Sequence, residues 1–489
     1  MRQRHLLPNR FRLMLGAALG VAFAAAEGLS CSSEGTGTGG SGETSASSTA
    51  SSGSGVGGGA EIPPTFTAAE LAALAELSPA VLPKPPPDPT NAFADDPAAA
   101  ALGKALFFSP IFSGALLDGD NDGSPATLGF KGETGKVACA SCHLPGSDFN
   151  DTRSPSRQIS LATGWGRRRA PSLLDVGQTK VLMWDGRHDT LYNQVFGPLE
   201  SAVEMNSSRL FVAEQIHLHF KAQYEAVFGP LPALDQPPYP ALSAAATGCT
   251  PSTVDPAPEC NGTWHGSPGD GAEYDGLGPD AQDAVTRVVV NAGKAIAAYE
   301  RLLTCGAGRF DAWMHGDAAA LSPSEQRRAQ LFVGAGKCVG CHTGPFLSDQ
   351  KFHNVGLAPA LVAAAFIDSD DHGAASGLAA ALSDPLNSKG TYSDGDDGRL
   401  PATVTANMEG SFRTPILRCV ARRPSFMHTG QLRTLEAVVE FFSDGGHPGG
   451  FFGTREIAPL GLSTSQRDDL VAFLGALDGP GADASLLSE

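Results

Sequence analysis

The chain contains 489 residues, and 42% of them are hydrophobic, which is enough to build buried cores and excludes a wholly disordered protein. Lys and Arg number 34 against 52 Asp and Glu, so the formal net charge is -18 and nucleic acid is not expected as a partner, because phosphate binding needs a basic surface. The 59 glycines and 36 prolines predict long loops.

The N-terminus is predicted to be an export signal. Several arginines precede a short apolar run, Leu13–Ala26, which is too short to span a bilayer comfortably. We assign residues 1–31 to the signal peptide, because the residues that end at Cys31 resemble a lipoprotein processing site, although Gly28 stands where a large aliphatic residue is usual. Cleavage near the alanines at 24–26, without lipid attachment, is the alternative.

Residues 32–62 are predicted to be a flexible tether. They are dominated by Ser, Gly, Thr and Ala, a composition that cannot bury a core. A tether directly behind Cys31 is what a surface-anchored lipoprotein needs, so it favours acylation of Cys31. We therefore predict a periplasmic or cell-envelope protein that is attached to the membrane only through this lipid.

The remainder of the chain is predicted to be mainly α-helical with long loops. Apolar residues recur at helical spacing, and Ser322 followed by a proline resembles a helix cap and first turn. One predicted helix starts at Thr67. The others span 98–108, 280–303, 322–332, 435–442 and 466–477. No convincing alternation of apolar and polar residues predicts a strand. Residues 232–280, rich in Pro, Gly and Asp, are predicted to form a surface insertion.

Two C-x-x-C-H motifs carry the chemistry, and they consist of Cys139, Cys142 and His143, and of Cys338, Cys341 and His342. In this pattern two thiols add to the vinyl groups of a haem, and the adjacent histidine donates a nitrogen to the iron. Zinc knuckles and redox-active cysteine pairs are the alternatives, but haem attachment outside the cytoplasm agrees with the export signal. We expect two covalent haems in two cytochrome c-like domains, residues 63–316, with the insertion, and residues 317–489.

Further runs of sequence resemble the bacterial dihaem cytochrome c peroxidase and MauG family over residues 98–480. These runs are Ala170–Leu173, Met183–Arg187, Cys341–Asp349, Phe352–Gly356, Phe412–Arg418 and Met427–Glu436. The resemblance implies that the haem on His143 reacts with peroxide and that Trp184 relays electrons between the haems. It also implies that Gln194, Pro198 and Glu204 line the distal pocket.

Glu204 is the predicted acid and base. A peroxidase must move a proton from the inner to the outer peroxide oxygen, and a carboxyl whose pKa is raised in an apolar pocket can do this. Glu204 lies between Val203 and Met205. Each role has a structural alternative: an exposed glutamate for Glu204, a core residue for Trp184, and a surface amide and a turn proline for the other two.

The sequence departs from the family at the position of the sixth iron ligand of each haem. Where many of these peroxidases have a second histidine ligand for the first haem, Ile159 stands, so we expect that haem to be open on its distal side. At the position of the sixth ligand of the second haem stands Phe442, which cannot bind iron. His447 or Met408 could substitute there, or a protein ligand could be missing.

Calcium is doubtful as a cofactor. The family places a calcium site between the haems, but the matching positions here are Arg169, Arg423 and Ser425, and guanidinium groups cannot bind calcium. They could instead place positive charge near the haem propionates. A separate acidic loop at 118–123 begins like a calcium loop, but Gly129 replaces its closing glutamate, so a solvated loop is favoured.

Four cysteines remain once the haem and lipid cysteines are set aside. Cys249 and Cys260 could form a local disulfide, and Cys305 and Cys419 could pair across the two haem domains. Buried free thiols are the alternative for both pairs.

The function favoured by the sequence is a dihaem peroxidase that reduces hydrogen peroxide with electrons from a small cytochrome c or cupredoxin. A MauG-like oxidase of a partner protein is the second hypothesis, and a non-enzymatic dihaem electron-transfer cytochrome is the third. A homodimer is left open.

Overall fold

The computed structural model describes residues 63–154, 159–242, 272–359 and 370–489. The predicted signal peptide, the tether, most of the insertion, and Cys31, Cys249 and Cys260 lie outside the described residues. Within the described ranges helices dominate, as predicted, and the named strands are the two-residue β1 (Phe352–His353) and β2 (Phe412–Arg413), which pair antiparallel. None of the helices in these ranges is long and apolar enough to cross a membrane.

The α-helices of the described residues are α1 (Ala68–Leu77), α2 (Pro97–Phe108), α3 (Cys139–Cys142), α4 (Leu191–Gln194), α5 (Phe196–Glu200), α6 (Arg209–Gln215), α7 (Lys221–Phe228), α8 (Ala272–Asp275), α9 (Pro279–Glu300), α10 (Arg309–Met314), α11 (Pro323–Val333), α12 (Ala374–Ser383), α13 (Leu435–Ser443) and α14 (Thr464–Ala476). Local capping explains several of their starts. Thr67 and Glu70 form a capping box at α1, and Ser322 and Glu325 form another at α11. The predicted helices are thus confirmed, with ends that differ by a few residues.

The longest helix, α9, is the centre of the first hydrophobic cluster. Its buried residues include Val285, Val288, Val289, Ala292 and Ile296, which are the periodic positions read from the sequence. Helices α2, α4 and α6 pack against it. The contact with α2 is close, because a Cβ added at Gly103 would lie 1.9 Å from the carbonyl oxygen of Ala295.

A second hydrophobic cluster is formed by α1, α11, α13 and α14. Leu74 and Leu77 of α1 are fully buried in it, although the sequence-based division placed residues 63–316 in the first domain. The reason is that α1 buries its apolar side against α11. Conversely, Leu386 and Cys419, which belong to the C-terminal part of the chain, pack in the first cluster.

A disulfide joins the two parts of the chain. Cys305 and Cys419 are bonded, with their Cα atoms 5.8 Å apart and a sequence separation of 114. The predicted pairing of these two cysteines is therefore confirmed, and free thiols are excluded at this pair.

Next to this disulfide, Arg418 is fully buried and makes a two-pronged ion pair. Its Nη1 and Nη2 donate to the two carboxylate oxygens of Asp311 at 2.8 and 3.0 Å. The same guanidinium donates to the carbonyl oxygens of Leu77 at 3.1 Å and Pro345 at 2.6 Å. One side chain thus ties α1, α10 and the loop after the second haem motif together.

Replacing Arg418 by leucine should lower the free energy of unfolding by about 3–5 kcal/mol, because it leaves the Asp311 carboxylate buried and without its partner. Urea unfolding of the holoprotein measures this loss. As a matched control, Arg467→Leu removes the exposed pair with Glu440 and should cost about 1 kcal/mol or less. Equal losses in both variants would contradict the structural role of the buried pair.

Candidate functional site

A cavity of about 640 Å³ is lined by both parts of the chain. Its wall contains the complete first haem motif and all four residues predicted to act in the distal pocket, namely Cys139, Cys142, His143, Trp184, Gln194, Pro198 and Glu204. Residues from the C-terminal part, Arg413, Ile416 and Arg423, complete the wall. The structure therefore brings together side chains that are far apart in sequence.

His143 is held in the geometry of a metal ligand. It follows the one-turn helix α3, and its backbone N–H donates to the carbonyl oxygen of Cys139 at 2.9 Å. Its ring Nδ1 lies 3.4 Å from the carbonyl oxygen of Phe149, a residue with φ +58°. This bond fixes the ring and leaves Nε2 for a metal. Burial lowers the pKa of His143 to about 4, which keeps the imidazole neutral, as a ligand must be.

The second motif repeats this geometry. The His342 backbone N–H donates to the carbonyl oxygen of Cys338 at 2.9 Å, and its Nδ1 lies 2.7 Å from the carbonyl oxygen of Leu347. Leu347 also has a positive φ, of +51°. Burial lowers the pKa of His342 to about 4 as well. The two histidines are therefore presented alike.

The cysteines fit haem attachment better than the two alternatives. Within the described ranges, no group of three or more His, Cys, Asp or Glu side chains is arranged to hold a metal ion, whereas a zinc knuckle needs such a group. Burial raises the pKa of Cys139 and Cys142 to about 12, which is opposite to the low pKa of reactive redox cysteines. None of the four motif cysteines is in a disulfide within the described residues, so their sulfurs stay available for thioether bonds.

Glu204 lines the cavity between Val203 and Met205, which line it too. Burial raises the pKa of Glu204, and the positive charge of Arg187 opposes part of this rise. The carboxyl therefore has the environment that the sequence analysis expected of a proton carrier. Its catalytic role stays a prediction.

Trp184 lies where the two parts of the chain meet. It is 8% exposed, and its indole N–H donates to the carbonyl oxygen of Arg169 at 3.0 Å. Its own carbonyl oxygen accepts from the backbone N–H of Arg413, on β2, at 2.9 Å. Gln194 also lines the cavity, and its side-chain amide donates to the sulfur of Met183 at 3.6 Å. Gln194 is therefore not a surface amide, whereas the burial of Trp184 fits a core residue as well as an electron relay.

Three other histidines of the N-terminal part do not line this cavity. Ile159 is a core residue with 1% exposure, and His188, His217 and His219 are absent from the cavity wall. Besides His143, the histidine that lines the cavity within the described residues is His372, whose ring is paired with Glu409.

Around the second haem motif, two histidines are accounted for by other contacts. His447 accepts a hydrogen bond at Nδ1 from the backbone N–H of Ala358 at 2.9 Å, so its neutral form carries the proton on Nε2 and is a poor substitute ligand. His353 lies between Asp349 and Glu456, and hydrogen bonds with Cys341 and with these carboxylates raise its pKa to about 10. Both ring nitrogens of His353 are thus engaged by carboxylates, which leaves neither free for iron.

The three positions that replace the family's calcium ligands do meet in space. Arg169 Nη1 donates to Ser425 Oγ at 3.4 Å, and the charges of Arg169 and Arg423 repel each other. The acidic loop is turned onto its own backbone, where Asp118 accepts from the N–H of Asp120 at 2.9 Å. At neither place do three or more acidic, His or Cys side chains of the described residues form a group that could hold a metal ion.

The sequence analysis missed one buried acid in this cavity. Glu300, the last residue of α9, is 5% exposed, its Oε2 has no hydrogen-bond partner, and burial raises its pKa to about 8. Its place in the sequence, before Arg301 at a helix end, is typical of a surface residue. Only the packing of α9 against the first motif reveals that it is buried.

The chain is similar to known proteins over most of its length. The family model described as di-haem cytochrome c peroxidase matches residues 97–248. A cytochrome-c peroxidase, IdrP1, from Denitromonas iodatirespirans is 31% identical over 436 residues, which cover 84% of this chain and 89% of the relative. The methylamine utilization protein MauG from Methylorubrum extorquens is 29% identical over 396 residues, which cover 80% of this chain and 81% of the relative.

Among solved structures, the diheme peroxidase BthA from Burkholderia thailandensis matches with a TM-score of 0.54 at 24% identity, over 81% of this chain and 89% of that chain. At this identity the match shows the fold alone. The fold and the paired motifs define a dihaem protein of the cytochrome c class. The chain belongs to the dihaem cytochrome c peroxidase and MauG family and is an oxidoreductase.

We expect the mature protein to carry two covalent haems, which mass spectrometry of the intact chain measures directly. Replacing Cys139 and Cys142 by alanine should remove one haem and leave the other, because each motif supplies its own thiols. The control variant Cys305→Ser with Cys419→Ser should keep both. A wild-type chain that carries zinc and no haem would overturn the assignment.

Proposed function

We propose that this protein reduces hydrogen peroxide to water with electrons from a small redox protein, a cytochrome c or a cupredoxin. One observation carries the proposal: Glu204, whose pKa is raised by burial, lines the same cavity as His143. Reduction of one peroxide consumes two electrons and two protons and yields two waters. A buried carboxyl beside a metal-ligand histidine is suited to moving those protons.

The haems would be held by the two motifs, Cys139, Cys142 and His143, and Cys338, Cys341 and His342. When bound at the first motif, a haem supplies the iron centre at which the peroxide oxygens are reduced. We propose that residues 63–316 and 317–489 form the two haem domains, with α1 packed on the second.

In this proposal Glu204 takes the proton from the inner peroxide oxygen and returns it to the outer one, so that water can leave. The side chains of Val203, Met205 and Pro198, which line the cavity around it, limit the water that reaches the carboxyl. The raised pKa brings the carboxyl closer to neutral pH, where taking and giving a proton are both favourable. Gln194 is assigned to orienting the peroxide through its side-chain amide.

Trp184 is assigned to electron relay between the two parts. Its ring is buried in the cavity wall, and its backbone is hydrogen-bonded to β2 of the C-terminal part. We further propose that the protein is exported and anchored at the cell envelope through Cys31, where a soluble donor protein can reach it.

Glu204→Gln should keep both haems and lower kcat by about 10²–10⁴-fold, the usual weight of a general acid and base. Peroxide turnover with a reduced small cytochrome as donor measures it. The control Glu76→Gln removes an exposed carboxylate on α1 and should leave kcat unchanged. Wild-type turnover in Glu204→Gln would place the proton carrier elsewhere.

Removing the positive charge of Arg187 should shift the pH profile. Glu204 must be ionised to accept a proton, so kcat/KM falls as the pH drops through its pKa. Arg187 stabilises the ionised form, and Arg187→Gln should therefore raise the pKa of Glu204 and move the acidic limb of the profile to higher pH. Arg187→Lys should leave the limb near its wild-type position. An unmoved limb in Arg187→Gln would mean that another group controls it.

A further inference from the structure

Three arginines in the cavity wall have no carboxylate partner. Arg169, Arg413 and Arg423 all line the cavity, and within the described residues none of them lies within ion-pair distance of an Asp or Glu side chain. The neighbouring Arg168 shows the contrast, because it is paired with Asp185 and with Asp371. Arg169 is buried, Arg413 and Arg423 are half-buried, and none of the three has a carboxylate partner such as those of Arg168.

The hydrogen bonds of the three arginines leave some of their N–H donors without an acceptor. Arg169 donates from Nη1 to Ser425 Oγ, Arg413 donates from Nε to the carbonyl oxygen of Met183 at 3.3 Å, and Arg423 donates from Nη2 to the carbonyl oxygen of Ile416 at 2.6 Å. The buried Nε atoms of Arg169 and Arg423 have no acceptor. A buried donor without an acceptor is costly, so these groups call for a partner that comes from outside the chain.

The charges repel one another as well. Burial, and then the charge of Arg423, lower the pKa of Arg169 to about 9 and that of Arg413 to about 10. Asp175, Asp478 and Asp148 act on Arg423 only from beyond ion-pair distance. Positive charge without a carboxylate partner at these three positions favours an anion, and a guanidinium binds a carboxylate best because it offers two parallel N–H donors.

Two of the three arginines lie close enough to a motif histidine for their charge to act on it. The charge of Arg169 is felt by His143, and the charge of Arg423 is felt by His342. Arg169 belongs to the N-terminal part of the chain, whereas Arg413 on β2 and Arg423 belong to the C-terminal part. An anion bound here would therefore contact both parts.

We propose that Arg169, Arg413 and Arg423 form a carboxylate-binding triad that receives haem propionates at the junction of the two parts of the chain. Propionates are the carboxylates that a haem brings with it when it is attached at the motifs. The propionate can come from the haem on His143 or from the haem on His342. The inference depends on haem attachment and is independent of peroxide turnover.

The test is a potentiometric titration of both haems in the holoprotein, with haem content checked first by mass. Loss of a buried positive charge beside a propionate favours the oxidised iron, so Arg169→Gln and Arg423→Gln should each shift a haem redox equilibrium about tenfold or more towards oxidation, which is about 59 mV for one electron. The haem whose potential falls is the one that supplies the carboxylate. Arg287→Gln, which removes an exposed arginine of α9, should change neither potential.

A second readout separates direct contact from charge alone. The propionate bending bands in the resonance Raman spectrum respond to hydrogen bonds that reach the propionate. Arg423→Lys keeps the charge but not the two-pronged donor. It should therefore change the redox equilibrium of each haem by no more than about threefold and still shift a propionate band. If Arg169→Gln, Arg413→Gln and Arg423→Gln all retain two haems with unchanged potentials and unchanged propionate bands, the triad is overturned. Shifted potentials with unchanged bands in every variant would also contradict it.

Discussion

The bond between His143 Nδ1 and the carbonyl oxygen of Phe149 is the interaction on which the site depends. It turns the imidazole so that Nε2 is left for iron, and it requires Asp148 and Phe149 to adopt left-handed backbone conformations, with φ of +51° and +58°. Ser172 supports this turn by donating to the carbonyl oxygen of Asp148 at 2.8 Å. Because the second motif repeats the arrangement with Leu347, the same local geometry presents both proposed haem ligands.

The two parts of the chain, residues 63–316 and 317–489, both line the cavity that contains His143. Trp184 accepts a backbone hydrogen bond from Arg413, and the backbone N–H of Arg169 donates to the carbonyl oxygen of His428 at 3.0 Å. The Cys305–Cys419 disulfide and the Arg418–Asp311 ion pair fix neighbouring segments of the same junction. Residues of the proposed site therefore also form the junction between the two parts of the chain. In our proposal, the arginines without carboxylate partners lie at this junction because one anion can contact both parts there.

The features that could be predicted from the sequence are those set by neighbouring residues. The capping residues Thr67 and Ser322, the apolar period of α9 and the two C-x-x-C-H motifs all act over a few positions, so their outcome is local. Gln194 and Glu204 were found by their spacing from Trp184 in a family pattern. Composition alone would not have separated them from surface residues.

The features that could not be predicted depend on contacts between distant segments. The burial of α1 against the second cluster, the pairing of Arg418 with Asp311 and the unpartnered Glu300 follow from tertiary packing that no local pattern encodes. The Cys305–Cys419 bond was one of two alternatives for the same reason, because only the distance between the Cα atoms decides it.

The central claim is that the iron on His143 has a free position for peroxide, and electron paramagnetic resonance of the resting, fully oxidised holoprotein tests it most directly. The account predicts a high-spin ferric signal that disappears when Cys139 and Cys142 are replaced by alanine. Low-spin signals from both haems, with no high-spin signal, would contradict it and would assign a sixth ligand to this iron. The thioether of Met205, in the same cavity wall, would then be the first candidate to replace.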